Sequence, residues 1–372
     1  MNFGFTEEQA LLAAAVKKFL REDSPMAEVR RSAKSEQGYG EAAWRKLAEL
    51  GWVGLLVPEA EGGSGLSFVD AALLFEEVGR GLLPAPLLST VLASAALVAH
   101  GSAAQRARYL PALARGELIT APALLERAQR LDADGVQALA LVDGQDYVLS
   151  GEKAFVPDAG SAALFVVAAR AERGVGLFLV ERAQPGVKAQ SFPLIDTTKR
   201  MGTLALSSVR VAADAVLAQP EAGAAALARL LDQGALLTAA EMIGAAQAAL
   251  DMTVEYAKTR RQFGERIGKF QGVKHPLAED HVELETARSL VYHAAWKLSA
   301  EPDQAARSVS MAKAYATEAF TRIALDAIQL HGAIGYTAEY DAQLFYKRAK
   351  WARPQFGDAD HHYDRIGALA ED

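Results

Sequence analysis

The spacing of apolar residues changes twice along this 372-residue chain, and that change limits what it can fold into. Residues 1 to about 117 repeat at helical spacing, in "TEEQALLAAAVKKFL", "EAAWRKLAELGW", "FVDAALLFEEVGRGL" and the run from Leu87 to His100. Thr6 with Gln9 reads as a capping box that opens the first of these helices. From about residue 118 to 218 the pattern becomes short and β-branched, in "DYVLSGEKAFV", "ALFVVAAR", "GLFLVE", "VKAQSFPL" and "LALSSVRV", broken by Gly, Pro and Asp. Helical spacing returns from about residue 219 to 372 in four long segments. The expectation is an α+β multidomain chain: an N-terminal α-helical domain (1–117), a middle β-barrel or sandwich domain (118–218) and a C-terminal four-helix bundle (219–372).

Composition narrows the functions open to such a chain. A net charge of -7 argues against a nucleic-acid binder. With no Cys there is no disulfide, thiolate metal site or Cys nucleophile, which suits a cytoplasmic location. Glu7 and Glu8 stand where a signal peptide would be positive, so no leader is expected. The run "LLSTVLASAALVAHG" is too short to span a bilayer and reads as a core helix. "VPEAEGGSGLS" lacks the strand and glycine spacing of a phosphate-binding loop and reads as a turn between helices.

Two segments carry chemistry. In "YAKTRRQFG" (Tyr256 to Gly264), Tyr256 and Arg260 share a helical face, Arg260 offers a donor fork suited to pyrophosphate, and Gly264 reads as the helix end. Phe263 can pack on a flat ring; the plainer alternative is a surface Arg and a core Phe. Ile267, Phe270 and Gln271 follow. In "QLHGAIGY" (Gln329 to Tyr336), Gln329 closes a helix, and Gly332 and Gly335 allow close backbone approach to a diphosphate or an adenine; alone, a Gly-rich helix end is a common feature.

In this order, and with the helix–strand–helix layout around them, these segments resemble the acyl-CoA dehydrogenase family of flavoenzymes over nearly the whole chain. The ending "FGDADHHYDRIG" resembles small subunits of pimeloyl-CoA-type and steroid side-chain dehydrogenases. The resemblance implies FAD as cofactor, an acyl-CoA substrate oxidised to its 2,3-enoyl form, an electron-transfer flavoprotein as oxidant, and a homotetramer or α2β2 assembly. It implies that Arg260, Gln262 and Phe263 reach the FAD of a neighbouring subunit, with Ile267, Phe270, Gln271, Gln329, Leu330, Gly332 and Ala333 in the same cofactor surface. Where the family usually has two glycines, this chain has Gly332-Ala333. In the strand domain, Leu125 replaces a hydroxyl, Phe155 replaces a Trp and Pro157 replaces a Thr. Phe155 can still shield a flavin, but Leu125 and Pro157 offer no side-chain donors.

Oxidising a CH–CH bond beside a thioester needs an electron sink, which a flavin supplies, and a base for the α proton. The family's commonest base position holds Phe356, its minority position holds Gly234, and the residue that would meet CoA is Ala235. Glu241, about two turns beyond Gly234, is the first candidate; as an acid in an apolar helix it is equally a structural group paired with an Arg or a helix end. Asp358 is the second, with a cap or flavin contact as its alternative. Asp358, Asp360, His361 and His362 could also be read as metal ligands, but polar interface residues are the plainer reading and no metal is expected. Two further readings stay open: a non-catalytic partner that completes another chain's flavin site, and a flavin oxidase or monooxygenase on the same fold.

Overall fold

The structure is a computed structural model that describes residues 4–371. Chain order gives α1 (Glu7–Asp23), α2 (Met26–Lys34), α3 (Glu41–Glu49), α4 (Phe68–Arg80), α5 (Leu87–His100) and α6 (Ala103–Ala114). Eight strands follow: β1 (Thr120–Ala123), β2 (Leu139–Asp143), β3 (Asp146–Pro157), β4 (Leu164–Ala171), β5 (Gly174–Glu181), β6 (Val187–Phe192), β7 (Met201–Val211) and β8 (Val216–Ala218). Then come α7 (Pro220–Thr259), a small hairpin of β9 (Arg261–Gln262) and β10 (Glu265–Arg266), α8 (Gln271–Ala300), α9 (Ala306–His331), α10 (Ala342–Ala352) and α11 (Ala359–Glu371). Helices, a sheet and helices therefore follow one another as the residue spacing predicts.

Compactness groups these elements differently from chain order. One unit takes the chain up to Val29, Phe68–Leu83 and everything from Ala235; the other takes Arg30–Ser67 and Pro84–Gly234.

In the first unit, α1 is opened by the expected capping box between Thr6 and Gln9. Helices α4 and α7 touch backbone to backbone. A Cβ on Gly79 would sit 1.9 Å from the Glu241 carbonyl, and one on Gly244 would sit 1.6 Å from that of Glu76, so only glycine permits this approach. The Ala-rich faces of α7 and α9 are buried around it. Helix α9 lies on α8 through Arg322, whose guanidinium reaches Glu279 at 2.6 Å. The fourth long helix expected from spacing is divided into α10 and α11. Pro354 interrupts the donor ladder, and Phe356 and Gly357 turn the chain with φ of 55° and 103°.

In the second unit the sheet runs β6-β7-β3-β2-β4-β5-β8, with β1 parallel to β4. Residues from both ends of this path share one core, including Val167, Phe178, Leu204 and Val211. Tyr147 of β3 and Phe178 of β5 meet edge to face at 5.1 Å although two strands separate them in the ladder, so the sheet curls around its core. Helix α5 packs on β1. The Gln105 amide of α6 donates to the carbonyls of Asp214 (2.8 Å) and Val216 (3.0 Å) beside β8.

Candidate active site

Helix α7 stops at Thr259, and the next residues form a tight hairpin. Its two turn residues, Phe263 and Gly264, have φ of 53° and 80°. Two successive positive φ values make the kind of turn that matches the twist of short antiparallel strands. Gly264 thus completes a hairpin and does not end the helix as the sequence reading had it; the register Gln262↔Glu265 leaves only two residues for the turn. Phe263 at the tip is 92% exposed. Its ring lies 6.2 Å from that of Phe270, edge to face. Arg260, Gln262 and Gln271 are exposed around it and Ile267 is half-buried. A large aromatic presented this fully to water, ringed by amide and guanidinium donors, is a surface shaped for a flat polar partner. The alternative of a core Phe at this position does not hold.

The second segment ends α9. The helix runs two residues beyond Gln329, to His331, and Gly332 then turns with φ of 62°. Gln329, Gly332 and Ala333 are exposed and Leu330 is half-buried. Beyond Gly332 a Cβ would meet open space, whereas one on Gly335 would lie 2.8 Å from the Ile328 carbonyl. Gly335 is therefore needed by the fold, and Gly332 leaves backbone accessible. Ala333 sits in a short 3₁₀ turn, a conformation that tolerates a side chain. The two segments adjoin: the Tyr256 ring lies 4.4 Å from that of His331. The donors of Arg260, Gln262 and Gln329, with the exposed turn at Gly332 and Phe263 as a flat apolar face, fit a cofactor that joins a diphosphate to aromatic rings.

In the sheet, Phe155 lies where β3 loses register with β7, and has φ of 53°. An aromatic residue held there is strained, and the surrounding bonds must hold it. Its ring meets Phe192 at 6.3 Å. Pro157 closes β3 opposite Met201. The Leu125 carbonyl accepts from Ala154 N–H at 2.9 Å, so Leu125 contributes backbone structure here. Beside it, Glu126 accepts from buried Lys153 Nζ (2.8 Å) and from the N–H groups of Gln137 and Ala138 (both 2.8 Å). Burial opposes its charge, yet those donors hold the carboxyl below its ordinary range.

Both candidate bases are engaged. Glu241 is 2% exposed and pairs with the guanidinium of Arg348, itself 0% exposed and 5.8 Å from the Trp351 ring. Of the two readings of Glu241, this geometry supports the structural acid. Asp358 accepts the His361 N–H at 3.0 Å, and its carbonyl accepts from His362 N–H, so it caps α11.

The preceding loop is gripped from below. Lys313, fully buried, donates to the carbonyls of Arg353 (3.1 Å) and Gly357 (2.7 Å) and to Thr317 Oγ1 (3.1 Å). Burial pushes its ammonium down to about 7, with Asp358 pulling the other way. His362 Nε2 faces the Phe356 carbonyl at 3.0 Å and Nδ1 faces Ser310 Oγ at 3.2 Å. A carbonyl can only accept, so Nε2 carries the proton and Nδ1 takes the Ser310 hydroxyl. Burial, then Lys313 and His361, push this imidazole down to about 3. With both ring nitrogens occupied, His362 is a loop clamp rather than a ligand for a metal.

Sequence reading alone did not find Arg348, Lys313 or Lys153. Lys313 is a cation in an Ala-rich stretch, while Arg348 stands among Lys347 and Lys350 and Lys153 beside Glu152, so nothing in the local sequence names their partners.

Sequence families described as acyl-CoA dehydrogenase N-terminal, middle and C-terminal domains match residues 6–117, 121–209 and 221–370. The chain is 34% identical over 365 residues to the probable acyl-CoA dehydrogenase YngJ of Bacillus subtilis, covering 94% of each. It is 35% identical over 344 residues to the acyl-CoA dehydrogenase IpdE2 of Mycobacterium tuberculosis, covering 92% of this chain and 91% of that one. Among solved structures it resembles the ChsE4-ChsE5 complex of Mycobacterium tuberculosis, with a TM-score of 0.91, 28% identity and full coverage of both chains. Three consecutive domain matches and two full-length relatives place this chain in the acyl-CoA dehydrogenase family.

Proposed function

We propose that this chain carries out the FAD-dependent α,β-dehydrogenation of an acyl-CoA thioester, giving the 2,3-enoyl-CoA. One observation beyond family membership carries this reading: Phe263, Arg260, Gln262 and the open Gly332 backbone form an exposed, donor-rich aromatic surface with no wall of its own. When bound, FAD supplies the acceptor for the hydride that leaves the β carbon. Arg260, with the exposed turn at Gly332 and Ala333 beside it, would hold its diphosphate, Gln262 and Gln329 would take hydrogen bonds along its polar edge, and Phe263, with Phe270 and Ile267, would cover an apolar face. On the sheet side, Phe155 would shield the ring system, and Leu125 and Pro157 would contribute shape without side-chain hydrogen bonds. Because these surfaces face outward, a second chain completes each site, and an electron-transfer flavoprotein fits the role of reoxidant.

The α-proton base is the open part. Asp358 is the better candidate in this chain, because it is half-buried at a helix end, whereas Glu241 is fully buried against a guanidinium. Glu241 would have to leave Arg348 to act. A second reading, that a related subunit donates the base in an α2β2 assembly, draws on Phe356 and Gly234 standing at the two family positions and on the engagement of both carboxylates.

The test is anaerobic mixing of the FAD-loaded protein with a panel of acyl-CoA thioesters while the flavin's visible absorbance is followed. Bleaching in the wild type that Asp358→Asn abolishes and Glu241→Gln spares would place the base at Asp358. Bleaching only after a related subunit is added would place it there. A chain that holds no flavin either alone or with such a partner would overturn the reading.

A further inference from the structure

The two flavin-facing segments belong to different helices, sixty-odd residues apart, and something must fix their spacing. Tyr256, His331 and Tyr340 form a stack at the point where they meet. The His331 imidazole lies 4.4 Å from the Tyr256 ring at 30°, and 4.8 Å from the Tyr340 ring at 51°. The Tyr256 hydroxyl donates to the His331 carbonyl at 3.4 Å. Each end of this stack leads directly into one segment. Tyr256 accepts the Arg260 N–H on its carbonyl at 2.8 Å, so moving Tyr256 moves the start of the hairpin. His331 immediately precedes Gly332, whose backbone turn depends on where the helix stops.

The chemistry of His331 is odd for a residue kept only for stability. It is 3% exposed, and its Nδ1 lies 2.7 Å from the Ala327 carbonyl, so Nδ1 carries the proton. Nε2 is then a bare acceptor, buried and without a hydrogen-bond partner among the described residues. Burial also holds the ring below its ordinary value, which keeps it neutral. An orphaned buried acceptor is a cost, and a phenyl ring would give the same stacking without it. What His331 provides is the Nδ1–H bond to Ala327 and the flat ring between two tyrosines.

Resting on the functional reading above, we propose that the Tyr256–His331–Tyr340 stack is a positioning device: it couples the hairpin at Arg260–Gly264 to the loop at Gly332–Gly335, so that both meet one FAD in register. These are positioning residues, since none is placed against the cofactor itself.

The test compares wild type, His331→Leu and His331→Phe by hydrogen exchange of the flavin-free chain and by FAD titration. Losing the ring in His331→Leu should speed exchange in both segments together and weaken FAD binding about tenfold. His331→Phe keeps the ring and should restore both readouts. If His331→Leu does not fold, Tyr340→Leu, which removes one face of the stack from a half-buried position, should give the same paired response at smaller amplitude. The proposal falls if only the segment carrying the substitution loosens. It also falls if FAD binding stays within about twofold while both segments loosen, or if His331→Phe behaves like His331→Leu. A wild type that takes no FAD while the two segments still respond together would sink the functional reading and leave the coupling standing.

Discussion

Removing one member of the Glu241–Arg348 pair should be costly, because the guanidinium would keep its buried position and lose the Glu241 carboxylate. Glu241→Gln is expected to lower stability by about 3–5 kcal/mol in denaturant unfolding. Replacing both residues by apolar ones of similar volume should cost much less. A Glu241 whose role is proton abstraction alone would instead lose turnover with stability unchanged. His362 makes a second prediction at this scale. Its native value, about 3, lies below the ordinary 6.5, so between those pH values the unfolded chain binds a proton that the native chain does not. Stability due to the neutral imidazole is therefore complete above about pH 6.5 and is lost as pH falls toward 3. In His362→Gln, which keeps a donor for the Phe356 carbonyl, the fall of melting temperature across that window should be shallower than in wild type. An acid limb of the same slope in both proteins would exclude His362 as its source. The acid in the apolar run of α7 was visible in sequence; its partner was not, because Arg348 lies 107 positions away. Spacing along one helix says which side chains share a face and nothing about which distant helix meets it.

Among elements, β3 to β7 were legible because their β-branched runs alternate between punctuating residues. Strands β1 ("TAPA"), β2 ("LALVD") and β8 ("VLA") were not, since short segments of Ala, Leu and Pro carry no period. The hairpin after α7 was read as a helix end because glycine serves both purposes, and only the pairing of Gln262 with Glu265 decides between them. The packing of α8 on α9 yields a prediction. Asp280 is 1% exposed, and burial first and Asp326 second push its carboxyl up to about 7. An acid whose native value is raised keeps its proton where the unfolded chain has lost it, so its contribution is full below about pH 3.8 and lost as pH rises through about 7. Asp280→Asn should therefore raise the melting temperature at pH 8 relative to wild type, and change it little near pH 4. A substitution that destabilises equally at both values would mean that Asp280 is needed as a charge for Arg322, whose Nε lies 3.6 Å away.

For the molecule as a whole, the order of helical, sheet and helical domains could be read from sequence, whereas the grouping of elements could not. It depends on close approaches such as Gly79 to the Glu241 carbonyl that leave no periodic trace. On the proposed shared site, the exposure of Phe263 would make flavin retention a property of the assembly. Diluting the FAD-loaded protein should release flavin at the concentration where light scattering shows the oligomer dissociating, and retention that ignores concentration would contradict a shared site. The grouping itself bears on how the chain is made. One unit closes once residue 234 has been synthesised, since all its segments lie before that point. The other is assembled from three separate stretches, so α1 and α4 emerge from the ribosome early and wait, their inner faces uncovered, until the last third of the chain arrives to cover them. Production of this protein should accordingly be most sensitive to chaperone supply during that interval of synthesis.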